Sequence, residues 1–225
     1  MVDMHHFYHI YCGNNASQKE NDWIPIVQLH MESLETSQLI NNLDTIHIGL
    51  VGLPHQRQQV KDFLSENNIL HTVVDEADHG WEQLTQNKLY EFAQVNDGNV
   101  LYAHTKGGFN VTEQNIDWRK SMTYFNVIKW KDCIEKLSDV DAVGCHWHDF
   151  SGQSPPHLGG PHVGQRWFAG TFWWSKLNKI REISHGPTMQ TRWDAEVWIG
   201  QIPNISVYDI TNNQGPYPNA TITEW

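Results

Sequence analysis

Apolar residues in the first half of the chain follow two alternating periods. Short runs rich in β-branched and aromatic residues predict strands at 6–12, 45–51, 69–74 and 100–103. Between these runs, apolar residues recur at helical spacing and predict helices at 23–39, 56–67 and 81–95. This alternation of strand and helix predicts an α/β fold in which helices flank a mainly parallel sheet.

The second half departs from that alternation. A long amphipathic helix is predicted at 116–137 and a shorter helical segment at 192–200. Further strands are predicted at 142–147, 167–174 and 205–210. The stretch 149–166 is a loop rich in Gly, Pro, Ser and His, and loops of this length are often lids or binding loops. At 225 residues the chain fits one domain, 1–225.

Net charge bears on whether the protein binds nucleic acid, and cysteine content bears on the cellular compartment in which it functions. The 15 Lys and Arg residues are scattered along the chain, and the net charge is −11. Both observations argue against sequence-independent binding of nucleic acid through charge. The three cysteines are widely spaced and predict neither a disulfide framework nor a zinc site, so a reducing, cytoplasmic compartment fits them. With no export leader and no apolar run of about 20 residues, we expect a soluble protein without a membrane span.

The fourth predicted strand ends in His104, Thr105, Lys106, Gly107 and Gly108. Ligands of open α/β sheets bind at the carboxyl ends of strands. Lysine offers a point charge and glycine permits close approach of the backbone, a combination that suits an anion such as a diphosphate. The alternative is a turn with solvated side chains.

Two other places carry groups that suit an anion or a proton transfer. Arg119, near the start of the long helix, could donate two hydrogen bonds to a phosphate or be an ordinary surface arginine. Asp194 and Glu196 are two positions apart, so on a helix they point to different faces. One of them could be a general base, or Asp194 could cap the helix while Glu196 pairs with Arg192.

Candidate metal ligands follow other strands. His146 and His148 have chelating spacing, and Asp149, His157 and His162 lie nearby, but spacing fixes no third ligand. Asp75, Glu76 and Asp78 follow the third predicted strand and could hold Mg²⁺ or Mn²⁺, or cap the next helix. His104 is a further candidate ligand.

Several segments together resemble a group of small glycosyltransferases of bacteria and their phages that are related to the GT-A fold. The matching residues are Tyr102-Ala103-His104-Thr105-Lys106-Gly107, Trp118-Arg119, Met122, Trp130, Cys133, Leu137, Asp141-Ala142-Val143-Gly144, Phe168-Ala169-Gly170-Thr171-Phe172-Trp173-Trp174, Arg192 and Glu196-Val197-Trp198-Ile199. In order and spacing the resemblance covers residues 100–200. Related sequences usually have Asn at the position of Thr171.

The resemblance implies transfer of a sugar from a nucleotide-sugar donor to a hydroxyl acceptor. The acceptor would be a glycan, or a hydroxymethylated base in phage DNA. GT-A enzymes usually hold Mn²⁺ or Mg²⁺ with an Asp-x-Asp motif at the end of the fourth strand. His104-Thr105-Lys106 stands there in this chain, so Lys106, with Arg119, would supply the positive charge on the leaving diphosphate.

The resemblance also implies roles for individual residues. Residues 1–108 would form the nucleotide-binding half and 109–225 the acceptor and catalytic half. Glu196 is the first candidate for general base and Asp194 the second. The residues expected at the donor are Tyr11, Cys12 and Gly13 on the nucleotide, and His104, Lys106 and Arg119 on the diphosphate. Those expected at the sugar and acceptor are Gly170, Thr171, Trp173 and His162.

Two alternatives from other classes stay open. One is a metal-dependent hydrolase built on His146, His148 and Asp149. The other is a carbohydrate-binding module, in which some of the 11 tryptophans are platforms for sugar rings and nothing is turned over.

Overall fold

A computed structural model describes residues 2–13, 22–150 and 165–211. Within these ranges the strands are β1 (Met4–Tyr11), β2 (Ile46–Val51), β3 (His71–Ala77), β4 (Asn99–His104), β5 (Ala142–Gly144), β6 (Trp147–Asp149), β7 (Arg166–Phe168), β8 (Trp173–Lys176) and β9 (Val207–Asp209). The α-helices are α1 (Ile24–Thr36), α2 (Pro54–Glu66), α3 (Gln83–Ala93), α4 (Glu113–Thr123), α5 (Trp130–Leu137), α6 (Leu177–Ile180) and α7 (Trp193–Val197).

One seven-stranded sheet organises the chain in the order β3-β2-β1-β4-β8-β5-β9, and β6 pairs with β7 in a separate ribbon. Strands β1 to β4 are parallel, as are β5 and β9, while β8 runs antiparallel to both of its neighbours. The predicted α/β fold with a mainly parallel sheet flanked by helices is confirmed. Because β8 lies directly beside β4, the two proposed halves of the chain share one sheet.

Side chains alternate between the two faces of this sheet, as the pleat requires. On one face, Tyr8 and Trp174 pack with apolar residues of α1, α2, α4 and α5. On the other face, Phe7 and Trp173 pack with apolar residues of α3 and α6. The core is therefore double-sided, which explains why the strands read as nearly continuous apolar runs. No helix in the described ranges is long and apolar enough to cross a bilayer.

Three predicted strands differ from the structure. β3 continues to Ala77, so Asp75 and Glu76 lie within a strand instead of after it. The predicted strand 142–147 is divided between β5 and β6, because His146 has a left-handed backbone with φ 56°. The predicted strand 167–174 is likewise β7 and β8, separated by a turn in which Gly170 and Thr171 both have positive φ.

The predicted long helix 116–137 is interrupted by a π-helical segment, Tyr124–Ile128. The inserted residue turns Asn126 and Val127 inward, instead of Phe125 and Ile128. Asn126 then donates a hydrogen bond to the Met122 carbonyl at 3.0 Å, and its own carbonyl accepts one from Trp174 Nε1 at 2.8 Å. The π-helical segment thus provides acceptors for the buried donors Asn126 Nδ2 and Trp174 Nε1.

Candidate active site at the end of the fourth strand

The chain reverses its direction of travel across the sheet between β1 and β4. From β1 it proceeds to β2 and β3 on one side, and it then returns to add β4 on the other side. Open α/β sheets bind ligands at the carboxyl ends of strands beside such a switch point. Here the two strand ends are joined, because Thr105 N donates to the His9 carbonyl at 2.9 Å and Tyr11 N donates to Thr105 Oγ1 at 2.8 Å.

The loop after β4 is held by the start of α4. Arg119 Nη1 donates to the Lys106 carbonyl at 2.6 Å, and Lys106 Nζ lies 3.7 Å from the centre of the Trp118 ring. Gly107 has φ +80°, and a Cβ there would meet Asn115 and Arg119. The structure therefore brings together the two predicted diphosphate-binding cations, with Arg119 buried against the loop.

His104, the last residue of β4, is buried and uses both ring nitrogens. Nε2 lies 2.9 Å from the Gly170 carbonyl, and Nδ1 lies 3.0 Å from Glu82 Oε1. Glu82 directly precedes α3, and the sequence analysis did not identify it. The available signal was a carboxylate that follows Gly80 and Trp81 at the start of the helix after β3.

The charged groups at this edge shift one another's pKa values. Burial, together with the neighbouring Glu196, raises the pKa of Glu82 to about 8 against the opposing effect of Lys106 and Arg192. Burial lowers the pKa of Lys106, and the charges of Glu196 and Glu82 oppose that shift. Burial first, and then Lys106, hold the pKa of His104 well below its ordinary value. The charges of Glu82 and Glu196 thus both act on the pKa of Lys106.

The two candidate general bases on α7 lie in different surroundings. Asp194 accepts hydrogen bonds from Thr188 Oγ1, Gln190 N, Thr191 N and Thr191 Oγ1 at 2.6 to 3.0 Å, and so braces the loop before the helix. Burial would raise its pKa, but those hydrogen bonds hold the pKa below its ordinary value. Glu196 interacts electrostatically with Glu82 and Lys106. Asp194 is not among the groups that shift the pKa values of Glu82 and Lys106.

Of the residues predicted at the sugar and acceptor, Gly170 and Thr171 lie beside the end of β4, whereas Trp173 lies in the core. The turn that contains Gly170 and Thr171 contacts the end of β4, and a Cβ at Gly170 would collide with Met122 and Trp118. Trp173 is fully buried, stacks on Tyr102 with 5.2 Å between ring centres, and supports the turn from within the core. His162 lies outside the described residues.

The predicted nucleotide-binding residues follow β1. Cys12 is buried, and its backbone N and its thiol donate to the Val51 carbonyl at 2.8 and 3.3 Å. Burial raises the pKa of the Cys12 thiol to about 12, which leaves it protonated. The Tyr11 ring packs edge-on against Phe109 from the loop after β4, with 6.1 Å between ring centres. Gly13 lies next to the Tyr11 ring, and 14–21 lie outside the described residues.

The candidate metal ligands are dispersed. Glu76 and Asp78 pair with Arg57, and Asp75 lies in β3. His148 stacks on Trp167, with 5.2 Å between ring centres. In the part of the chain that the structure describes, no three His, Cys, Asp or Glu side chains are grouped to hold a metal ion. His157 is outside that part.

Comparisons with known proteins place the chain in a family. The structure is similar to the crystal structure of 4-diphosphocytidyl-2C-methyl-D-erythritol synthase from Anaerococcus prevotii DSM 20548, with a TM-score of 0.46 and 12% sequence identity over 90% of this chain and 86% of that chain. A likeness at this level carries no argument about activity. No curated protein matches the sequence. A family model described as a domain of unknown function, DUF8361, matches residues 7–152, which is more than half of the chain. The chain therefore belongs to the DUF8361 family.

Proposed function

We propose that this protein is a glycosyltransferase that moves a sugar from a nucleotide-sugar donor to a hydroxyl acceptor. The observation that carries the proposal is a lysine, Lys106, beside the switch point between β1 and β4, with Arg119 bonded to its carbonyl and the charge of Glu196 acting on its pKa. A cation at that point suits the diphosphate of a donor. The type of reaction, sugar transfer from a nucleotide-sugar donor, is inferred from the resemblance to GT-A-related glycosyltransferases.

Lys106 and Arg119 are the proposed partners of the leaving diphosphate. Developing negative charge is stabilised best by cations that are already in place and partly removed from water. Lys106 rests on the Trp118 ring, and Arg119 is tied to the Lys106 carbonyl through one nitrogen. Only one guanidinium N–H of Arg119 is assigned to that carbonyl, and its other N–H groups are the donors proposed for phosphate oxygens.

Glu196 is the proposed general base. The acceptor hydroxyl attacks the anomeric carbon of the donor, and its proton passes to the Glu196 carboxylate. The bond between the anomeric carbon and the diphosphate oxygen breaks, so that a nucleoside diphosphate leaves and a glycosidic bond remains. Glu82 is less suited to accept a proton because its raised pKa keeps it largely protonated at neutral pH. The oxygens of Asp194 already accept hydrogen bonds from the preceding loop.

The residues at the end of β4 do not fit a divalent metal ion. The charges of Glu196 and Glu82 already act on the Lys106 ammonium, so a divalent cation there would be repelled by that lysine. Both nitrogens of His104 are engaged, by Glu82 and by the Gly170 carbonyl. No step of the proposed reaction is therefore assigned to a metal.

A panel of nucleotide sugars tests whether the protein binds a donor. UDP-, GDP-, CMP- and dTDP-sugars are added with and without Mn²⁺, and the melting temperature is measured, because a ligand of the native state raises it. We expect one nucleotide class to raise it without Mn²⁺. Lys106→Met should weaken that donor about tenfold or more, the usual effect of losing a charge-assisted hydrogen bond. The exposed Lys120 provides the control, Lys120→Met. If no donor binds, or if Lys106→Met binds as tightly as the natural protein, the proposal fails.

A second experiment tests the chemistry. With the bound donor, release of nucleoside diphosphate is measured against a panel of glycans and against DNA that contains 5-hydroxymethylcytosine. Glu196→Gln should abolish transfer and leave the donor Kd unchanged, whereas Glu182→Gln, at an exposed surface pair with Lys179, should change neither. Transfer that survives in Glu196→Gln would remove this residue as the base. Glycan binding without turnover of any donor would favour a carbohydrate-binding module.

A further inference from the structure

A short chain of hydrogen bonds crosses the candidate site from α3 to the turn before β8. It runs from Glu82 Oε1 to His104 Nδ1 at 3.0 Å, and from His104 Nε2 to the Gly170 carbonyl at 2.9 Å. The His104 ring is also in edge contact with Phe172, with 5.6 Å between ring centres. These contacts hold the imidazole in a single orientation between two elements.

The partners of His104 determine where its protons lie. A carbonyl oxygen only accepts, so Nε2 carries a hydrogen and donates it to Gly170. Nδ1 then either accepts a hydrogen bond from a protonated Glu82 or, in an imidazolium, donates to a carboxylate. Lys106 and Arg119 oppose a positive charge on the ring. Glu82 Oε2 is buried and has no hydrogen-bond partner among the described residues, a costly position for a charged carboxylate. The neutral pair satisfies both conditions.

The far end of the chain of hydrogen bonds is a strained turn. Gly170 and Thr171 have φ of +85° and +60°, and such a turn persists only where its surroundings hold it. Gly170 lies against Trp118, and the Trp118 ring carries the Lys106 ammonium at 3.7 Å. If the Gly170 carbonyl moved, the Trp118 ring beside it would move as well, and the Lys106 ammonium that rests on this ring would be displaced.

We propose that Glu82 is a positioning residue: as a neutral acid it holds His104 in the Nε2–H tautomer, and His104 in turn holds the Gly170 turn and the Trp118–Lys106 pair. The tautomer and the turn concern the fold alone. The consequence for Lys106 rests on the proposed function, because it matters only if a diphosphate binds there.

The test compares Glu82→Gln, Glu82→Ala and the natural protein, all as full chains. An amide at position 82 can still donate to Nδ1, so Glu82→Gln imitates the neutral acid, whereas Glu82→Ala cannot. We expect the ¹⁵N NMR shifts of His104 to show a protonated Nε2 and a bare Nδ1 in the natural protein and in Glu82→Gln. Glu82→Ala should lower the melting temperature by about 4–8 °C, and Glu82→Gln by about 2 °C or less. Glu91→Gln, within α3 and with its side chain 62% exposed, is the control.

Two results would overturn the inference. One is a His104 ring protonated on both nitrogens at pH 7, with Glu82→Gln as damaging as Glu82→Ala. The other is a Glu82→Ala protein with unchanged stability and tautomer. Inorganic pyrophosphate tests the consequence for Lys106: its Kd should stay within about twofold in Glu82→Gln and rise about tenfold in Glu82→Ala. If no nucleotide sugar binds to any of these proteins, the proposed function fails, and the NMR and melting data still decide the role of Glu82.

Discussion

Thr171 occupies a backbone conformation that its side chain disfavours. Its φ is +60°, and a β-branched residue in the left-handed region is a clear outlier that costs about 1–2 kcal/mol. Thr171 Oγ1 is also buried and has no hydrogen-bond partner among the residues described. Asparagine tolerates this region much better. The Asn found at this position in the resembled sequences is therefore the residue that the backbone favours.

Thr171→Asn should increase the stability of the protein. Relief of backbone strain should raise the free energy of unfolding by about 1 kcal/mol and the melting temperature by about 2–4 °C. Thermal or urea unfolding measures the change. Thr72→Asn, the same replacement at an exposed site in β3, is the control and should be neutral or slightly destabilising. A less stable Thr171→Asn protein would show that the threonine methyl contributes more packing energy than the strain costs.

Helix α3 lies close to the sheet at Gly49 in β2. A Cβ at Gly49 would overlap the Thr85 side chain of α3, and Thr85 Oγ1 is hydrogen-bonded to His9 Nδ1 at 2.8 Å. The glycine is required here by close approach of the two elements, and its neighbours in β2 are fully or nearly fully buried. Any side chain at position 49 must move the helix or break that hydrogen bond.

Gly49→Ala should lower the free energy of unfolding by about 1–3 kcal/mol, the usual cost of overpacking a core. The shortest contact is with Thr85 Oγ1, so Thr85→Ala should relieve part of the clash, while the Cβ of residue 85 still lies 2.9 Å from the new Cβ. The double variant should therefore lose clearly less stability than the sum of the two single variants. A double-mutant cycle by urea unfolding measures this coupling. Additive losses would mean that the backbone, and not Thr85, limits the space at this position.

Helix α7 has only five residues and depends on Asp194 for its position. Asp194→Ala should lower the free energy of unfolding by about 1–2 kcal/mol, because it removes the charged acceptor of several hydrogen bonds from the preceding loop. Sugar transfer should fall but remain measurable, because the proposed base, Glu196, is still present. Asp97→Ala, which removes a surface pair whose carboxylate is 84% exposed, is the control for stability. Complete loss of transfer with unchanged stability would instead make Asp194 the base.

The whole molecule buries several uncharged histidines around β1. Burial lowers the pKa of His6 to about 4, of His9 to about 3 and of His47 to about 4. His30 is also held well below its ordinary pKa, and its Nε2 lies 2.8 Å from His6 Nε2. Unfolding exposes all four rings to water, where histidine has a pKa of about 6.5.

These histidines make stability depend on pH. Between about pH 4 and 6.5 the unfolded chain binds more protons than the folded one, so the free energy of unfolding should fall as the pH is lowered through that window. Each histidine contributes up to about 1.4 kcal/mol per pH unit. The raised pKa of Glu82 has the opposite effect, because it makes the free energy of unfolding fall as the pH rises. The four histidines outweigh this single carboxyl group. We therefore expect maximal stability near neutral pH.

Urea unfolding at a series of pH values between 5 and 8 checks this expectation. His47→Asn should reduce the slope on the acid side by about one histidine's contribution. Glu82→Gln should flatten any decline between neutral pH and pH 8, because the raised pKa of Glu82 is the cause assigned to that decline. Stability that does not change between pH 7 and 5 would mean that the rings are hydrated in the folded protein.

The sequence by itself determined the local elements and one strand end. Periodicity located β1 to β4 and α1 to α3, because each is specified by residues close together in the chain. His104-Thr105-Lys106 was recognisable as a site candidate because ligands of open α/β sheets bind at the carboxyl ends of strands, where this segment offers a cation. The π-helical segment was not predictable, because its inward face, Asn126 and Val127, is defined by contacts with the distant Cys145 and Trp174.

Tertiary structure alone decided which polar residues meet. Glu82, Glu196 and Gly170 reach His104 and Lys106 from three separate parts of the chain, and no local pattern marks such a convergence. It also gave the two carboxylates of α7 different surroundings, since Asp194 accepts hydrogen bonds from its own loop while the charge of Glu196 acts on Glu82. Local sequence sets backbone preference and periodicity, whereas burial and the choice of partner arise only when distant segments pack together.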